Sequence, residues 1–413
     1  MKLFKNTAVY FLSNAIAAIA PMVLLPFLTR FLNPGEFGMV AMFTISVSIM
    51  NALFGFSTSG IIAVRFFKDT KEDLKAVISA CLLSLLISAI LLAAITVILF
   101  FLKLESYFGG NILYAYVAAF FYFPIYMRLA IYQCEAKPVK FAAFQIGNAF
   151  LMVFLTIISI AVLDMGAEGR MLSQALACFF IGLMAFYSLF KSGYIGRGVR
   201  VEMLSKVIRF GLPIIPHAMA GLAIVAADRY ILNMFEGVVA VGIYMAALQV
   251  AQGVALVSES FNKAYAPWLM KSLSGDVSKK SLVLMSYLLM TAILCLSALY
   301  GVLARYAGHQ LLGSDYYDSL KFIPALSLGF GLVGCYYIVV NYLFFSERTA
   351  LVMFSTLSGA FVGVISMIYL LGSFGFDAAA YAFLLANLTC FLVAWFTSAK
   401  VYPMPWLSFW RGN

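Results

Sequence analysis

Charge is what this sequence has least of. Only 11% of its 413 residues are Asp, Glu, Lys or Arg, where soluble globular chains carry about a quarter. So few charges cannot cover a water-facing surface, which excludes an ordinary soluble enzyme, a disordered chain and a soluble nucleic-acid binder. Histidine is almost missing: His217 and His309 are too few for a His-rich metal site. The six cysteines (Cys81, Cys134, Cys178, Cys295, Cys335 and Cys390) form no C-x-x-C pair, and most lie inside apolar runs. That excludes a disulfide framework and metal-ligand spacing and leaves them as small buried apolar residues. No G-x-x-x-x-G-K-[ST] segment occurs, so the chain is not itself a P-loop pump. No loop is long enough to fold as a domain outside a membrane.

What the chain has is apolar length. Its apolar fraction is 64% and its mean hydropathy +1.01, the signature of an integral membrane protein made of spanning helices. Twelve apolar runs are expected to cross: Ala8 to Leu28, Phe37 to Ser57, Val77 to Phe101, Ile112 to Tyr132, Phe141 to Leu163, Met171 to Leu189, Gly211 to Ala227, Val238 to Val257, Leu282 to Leu303, Phe322 to Phe345, Leu351 to Leu371 and Ala378 to Ala399. Helix is their only reasonable state, because backbone groups in hydrocarbon must be satisfied within the segment. Lys2, Lys5 and Ala18-Ile19-Ala20 mimic a signal peptide, but the apolar run continues to Leu28, so this reads as an uncleaved first span.

The net charge of +10 reads as topology rather than as nucleic-acid binding. With the N-terminus in the cytoplasm, 21 of the 27 Lys and Arg fall on the inner side, while acidic residues split 8 inside and 9 outside. The bias persists to the end of the chain, as expected for an even number of spans with both termini cytoplasmic. Residues 1–190 are then an N-terminal six-helix bundle, 191–209 a cytoplasmic linker, 210–400 a C-terminal six-helix bundle and 401–413 a cytoplasmic tail. In the linker, Leu204, Val207 and Ile208 suit a short interfacial helix. In the tail, Tyr402, Trp406, Phe409 and Trp410 suit an interfacial aromatic anchor.

A short repeat ties the halves together. Thr29-Arg30-Phe31-Leu32 closes the first span and Phe37-Gly38 opens the second, while Asp228-Arg229-Tyr230-Ile231 closes the seventh and Gly242-Ile243-Tyr244 opens the eighth. Both halves have six spans, so the expected symmetry is a pseudo-two-fold along the membrane normal, a transporter architecture.

The segment Gly211-Leu212-Pro213-Ile214-Ile215-Pro216-His217, running on to Asp228-Arg229-Tyr230, resembles the seventh helix of bacterial polysaccharide-repeat-unit flippases of the Wzx type. These belong to the multidrug, oligosaccharidyl-lipid and polysaccharide (MOP) exporter superfamily. Pro26 with Arg30, Phe37-Gly38, Gly242-x-Tyr244, Phe261 through Pro267, and Leu312-Gly313 through Pro324 are further similar features. The resemblance covers nearly the whole chain. It implies a MATE-like fold of two bundles, no cofactor, and movement of an undecaprenyl-diphosphate-linked oligosaccharide to the outer leaflet of the bacterial inner membrane. The implied partners are the lipid-linked substrate, membrane lipids and the polysaccharide polymerase and chain-length machinery. Coupling to a proton or sodium gradient stays open, since few carboxylates fall deep in any span. An ion-coupled drug or small-molecule exporter of the same superfamily is the alternative, and an enzyme acting on lipid-linked sugars would favour a larger outer loop.

An anionic diphosphate needs cations in a low-dielectric layer. Arg30, Arg65, Arg128 and Lys263, all at or near span ends, are the candidate substrate-binding cations; arginine's planar fork matches phosphate oxygens. Arg128 lies deepest from the outer end, and either substrate binding or snorkelling to the interface would account for it. Asp228, Arg229 and Glu259 are candidates for a gate or for ion coupling. Glu259 and Lys263 stand i,i+4, so a helix-end ion pair is the alternative there. Gly359 and Gly363, and Gly329, Gly331 and Gly334, mark helix packing or flexing points.

Overall fold

The computed structural model describes residues 2–101, 112–196, 198–199, 201–212, 214–274 and 278–406. The described chain is helical: α1 (Lys2–Phe31), α2 (Pro34–Leu53), α3 (Ile61–Phe66), α4 (Lys71–Phe101), α5 (Ile112–Cys134), α6 (Pro138–Ile157), α7 (Gly166–Lys191), α8 (Val201–Gly211), α9 (Ile214–Leu273), α10 (Lys279–Leu311), α11 (Ile323–Phe345), α12 (Thr349–Phe374) and α13 (Ala379–Val401). Among the described residues, 11 segments are long and apolar enough to cross a membrane. One of these, Ala226–Leu273, has 48 residues and is broken at the non-helical Gly237, where two helices of α9, residues 214–236 and 238–273, meet; each is long enough for one crossing of a hydrocarbon core about 30 Å thick. Large apolar side chains such as Ile90, Phe150, Phe361 and Phe396 stand exposed, as a lipid-facing surface requires.

Local chemistry sets the helix ends. Asn33 and Glu36 form a reciprocal capping box at the start of α2, with Pro34 in its first turn. Within spans, hydroxyls bond back to the carbonyl four residues earlier: Ser46 to Met42, Thr156 to Met152, Ser286 to Leu282, Ser297 to Ile293 and Thr397 to Val393. After α2 the backbone turns left-handed at three consecutive residues, Gly55, Phe56 and Ser57, with φ of 57°, 51° and 56°. Side chains from α4 hold this turn: Ser88 Oγ accepts from the Gly55 N–H at 2.8 Å, and Ser84 Oγ lies 3.1 Å from Thr58 Oγ1.

The chain groups into two compact units, residues 1–226 and 227–413. In the first, α5 packs along α7, α1 along α6 and α8 against α4. The linker expectation is met by a helix, but Val207 is fully buried, so α8 packs on its own unit instead of lying free at an interface. In the second unit, α11 lies between α10 and α13, and α12 packs on α13. The glycines singled out above are contact points. A Cβ on Gly359 would stand 2.8 Å from the Ala386 carbonyl oxygen on α13, and one on Gly334 would stand 2.7 Å from Ser258 Oγ on α9.

One expectation is borne out and one corrected: the seventh and eighth spans are separate helices that meet within α9 at a kink, the non-helical Gly237 (φ 80°, ψ 175°), but the seventh runs on past Ala227 to residue 236. Asp228 and Arg229 therefore lie inside a helix, about 13 Å along it from the kink, rather than at a span end. The start of the tail packs on the second unit. Trp406 packs against Tyr287, Tyr342 and Trp395, and its carbonyl accepts from the Tyr287 hydroxyl at 2.9 Å. Phe409 and Trp410 lie outside the described residues. Trp406→Ala is expected to cost about 3 kcal/mol, read as a lower unfolding temperature of the purified protein in detergent.

Candidate functional site

Arg128 sits near the C-terminal end of α5 and is buried, with 3% exposure. Its Nε donates to Ser188 Oγ and its Nη2 to Ser192 Oγ, each at 2.9 Å, across the α5–α7 interface. The guanidinium carbon lies 4.0 Å from the centre of the Tyr132 ring, and Tyr132 Oη lies 3.1 Å from Ser188 Oγ. Nη1 is buried with no hydrogen-bond partner. All of Arg128's hydrogen bonds go to neutral hydroxyls, so its charge is oriented without a directly bonded carboxylate.

Glu135, just past α5, interacts electrostatically with Arg128. Its Oε1 accepts from the Tyr194 hydroxyl at 2.7 Å and its Oε2 lies 3.0 Å from Lys137 Nζ. Burial pushes the Glu135 carboxyl up, but the Tyr194 hydrogen bond and the Lys137 and Arg128 charges outweigh it and hold it below the usual carboxylate range. Tyr194 is pushed up to about 12 by its own burial and by that carboxylate. A depressed carboxyl stabilises the fold above its unfolded pKa, and that contribution is lost as pH falls through the folded pKa. Glu135→Gln is therefore expected to be about 1 kcal/mol less stable than the wild type at neutral pH, with the gap closing toward pH 3. Thermal unfolding across that range checks it.

The other candidates have separate settings. Arg30 is exposed in the last turn of α1. Arg65, on α3, is half-buried and pairs with Asp69 at 3.1 Å. Lys263 and Glu259 are both exposed on α9. Asp228 Oδ2 accepts from the fully buried Tyr244 hydroxyl at 3.3 Å, and Oδ1 accepts from the Arg229 backbone N–H at 2.8 Å. The Arg229 Nε lies 3.9 Å from Oδ1, a weak side-chain pairing as expected for helix neighbours. Asn341, also buried, donates to Asn262 Oδ1 at 2.9 Å within the second unit.

One residue escaped the sequence reading. Arg170, which the span starting at Met171 leaves among the six outer-side cations, lies in the second turn of α7 with 8% exposure. Its signal was a polar stripe at helical spacing, Arg170, Gln174 and Cys178, on one face of α7.

Residues 3–273 match the family profile described as polysaccharide biosynthesis protein. The chain belongs to this family. Protein 1 of the Lsg locus of Haemophilus influenzae is 23% identical over 422 residues, covering 97% of this chain and 99% of that protein. Among solved structures, the lipid II flippase MurJ in an inward closed conformation aligns with a TM-score of 0.71 at 12% identity, covering 95% of this chain and 87% of MurJ. An inward-facing multidrug resistance MATE family transporter of the MOP superfamily aligns with a TM-score of 0.65 at 16% identity, covering 95% of this chain and 94% of the transporter. These likenesses show the fold, the twelve-helix, two-bundle architecture expected from the sequence.

Proposed function

We propose that this protein moves an undecaprenyl-diphosphate-linked oligosaccharide repeat unit from the cytoplasmic to the outer leaflet of the bacterial inner membrane, by alternating access, for surface polysaccharide synthesis. It is a transporter and not an enzyme, with both termini cytoplasmic. The observation that carries the reading is Arg128, a guanidinium held inside a spanning bundle by neutral hydroxyls, with one nitrogen open. Such a group favours an anionic cargo over a cationic drug. Family membership and the fold shared with a lipid II flippase support the cargo class. Arg30, Arg65 and Lys263 supply further cations for the diphosphate. Asp228, Arg229 and Glu259 serve gating or coupling to a proton or sodium gradient; unchanged transport in Asp228→Lys would remove Asp228 from that role. The polymerase and chain-length machinery act on the delivered product.

The test is the pool of lipid-linked repeat units in cells with and without the gene. Accumulation of completed units facing the cytoplasm, with loss of surface polysaccharide, is expected. An unchanged pool and unchanged surface glycan would overturn the reading and turn attention to drug efflux. Completed units accumulating on the outer face would place the defect after translocation.

A further inference from the structure

The guanidinium of Arg170 has almost nothing to bond. Its Nε and Nη1 are buried without a hydrogen-bond partner. Its Nη2 donates only to the Met152 sulfur on α6, at 3.6 Å, and a thioether is a weak acceptor. Among the described residues, no ion pair reaches it. Its electrostatic neighbours are Tyr122 on α5 and Cys178 on α7, both neutral at physiological pH. The Asn148 amide oxygen on α6 is likewise buried without a hydrogen-bond partner. Gln174, one turn along α7, is buried too.

A buried cation with one weak acceptor costs several kcal/mol unless a counter-charge or ligand completes it. Arg128 shows what completion by the protein looks like, since two serine hydroxyls and a tyrosine ring surround it. Arg170 has no such set. Two separate open donors call for a ligand with several oxygen acceptors, which a phosphate group offers and a halide does not. The Tyr122 hydroxyl and the Gln174 amide are further potential donors. Arg170 lies about 6 Å along α7 from Gly166, the first residue of that helix.

We propose that Arg170, with Tyr122 and Gln174, forms an anion site inside the first unit that takes a phosphate-class oxyanion. The oxyanion comes either from a lipid headgroup or from free phosphate. The site is independent of the transported cargo and would stand if the flippase reading failed.

The experiment uses the full-length protein, delipidated in a maltoside detergent without phosphate. Thermal unfolding is followed while titrating inorganic phosphate, short-chain phosphatidylglycerol, or chloride at matched ionic strength. Wild-type protein is expected to gain about 3 °C at a hundredfold excess over Kd with at least one phosphate probe and not with chloride. A response to inorganic phosphate identifies a free-anion site, and a response to the lipid alone identifies a headgroup site; either supports the proposal. Arg170→Lys, which keeps the charge and loses the planar donor array, is expected to bind at least tenfold more weakly. Met152→Leu, which removes the thioether and frees Nη2, is expected to keep the full shift. Equal shifts with chloride, no shift with either phosphate probe, or an undiminished response in Arg170→Lys would overturn it.

Discussion

Gly211→Ala is expected to lower stability by about 3 kcal/mol or more and to deplete the protein from membranes, although it adds one methyl group. Gly211 closes α8 directly against the left-handed turn after α2. A Cβ there would fall inside the van der Waals envelope of the Phe56 carbonyl oxygen and stand 2.9 Å from Thr58 Cγ2. A flexible side chain could swing aside, but a carbonyl in a turn of positive φ cannot. Phe56 and Ser57 already occupy a region disfavoured for residues with a Cβ. Ser57 Oγ donates to the Ala52 carbonyl at 2.7 Å, and Ser84 Oγ bonds the Gly55 carbonyl at 3.3 Å. The turn is fixed from several sides, so the clash has to be relieved by moving α8 off α4. Gly147→Ala on α6, where a Cβ meets nothing within 4 Å, is the matched control and should leave stability unchanged. Equal unfolding temperatures for the two variants would refute the account.

Arg128 carries the second large effect. Arg128→Ala removes two charge-assisted hydrogen bonds and a ring contact from the α5–α7 interface. At about 1.5–3 kcal/mol for each such bond, the loss of stability is expected to be about 3–6 kcal/mol. Arg128→Lys keeps the charge, but a single ammonium cannot serve Ser188 and Ser192 with the geometry of a planar fork, so about half of that is recovered. Transport separates the two roles. If the open Nη1 meets the cargo's diphosphate, surface polysaccharide per folded molecule falls at least tenfold in Arg128→Lys. Wild-type transport per folded Lys variant would leave Arg128 a purely structural residue.

Much of the fold could be read from composition, because a chain this poor in charge has few places to break a span. The depth of Arg128 was legible too, since it stands well inside an apolar run. The break between the seventh and eighth spans was legible at Glu236-Gly237, where Gly237 takes a φ of 80° and a ψ of 175°. The end of the seventh helix was not, since it runs past Ala227 up to that glycine. Arg170 was missed for a related reason. Hydropathy starts the span at Met171, but the helix starts at Gly166, where small residues carry little apolar signal. The surroundings of both guanidiniums depend on which faces of α5, α6 and α7 meet, and the rotation of a helix about its axis is not written in one sequence.

The hydroxyls that bond back along their own helices bear on how the chain is made. A span whose Ser and Thr are already satisfied can leave the insertion channel alone and wait in lipid for its neighbours. α5 and α7 cannot do so equally well. α5 carries Arg128, whose acceptors are Ser188 on α7 and Ser192 just past its end, and α7 carries Arg170, whose neighbour Tyr122 is on α5. An arginine costs about 2.5–3.5 kcal/mol on insertion scales at the centre of a span and less toward its ends, where both of these lie. During synthesis α5 emerges first and has to hold its guanidinium at the membrane surface until α7 follows, two helices later. Release of these two spans into the bilayer is then a paired event, and the order of biogenesis is written into the side chains that join them.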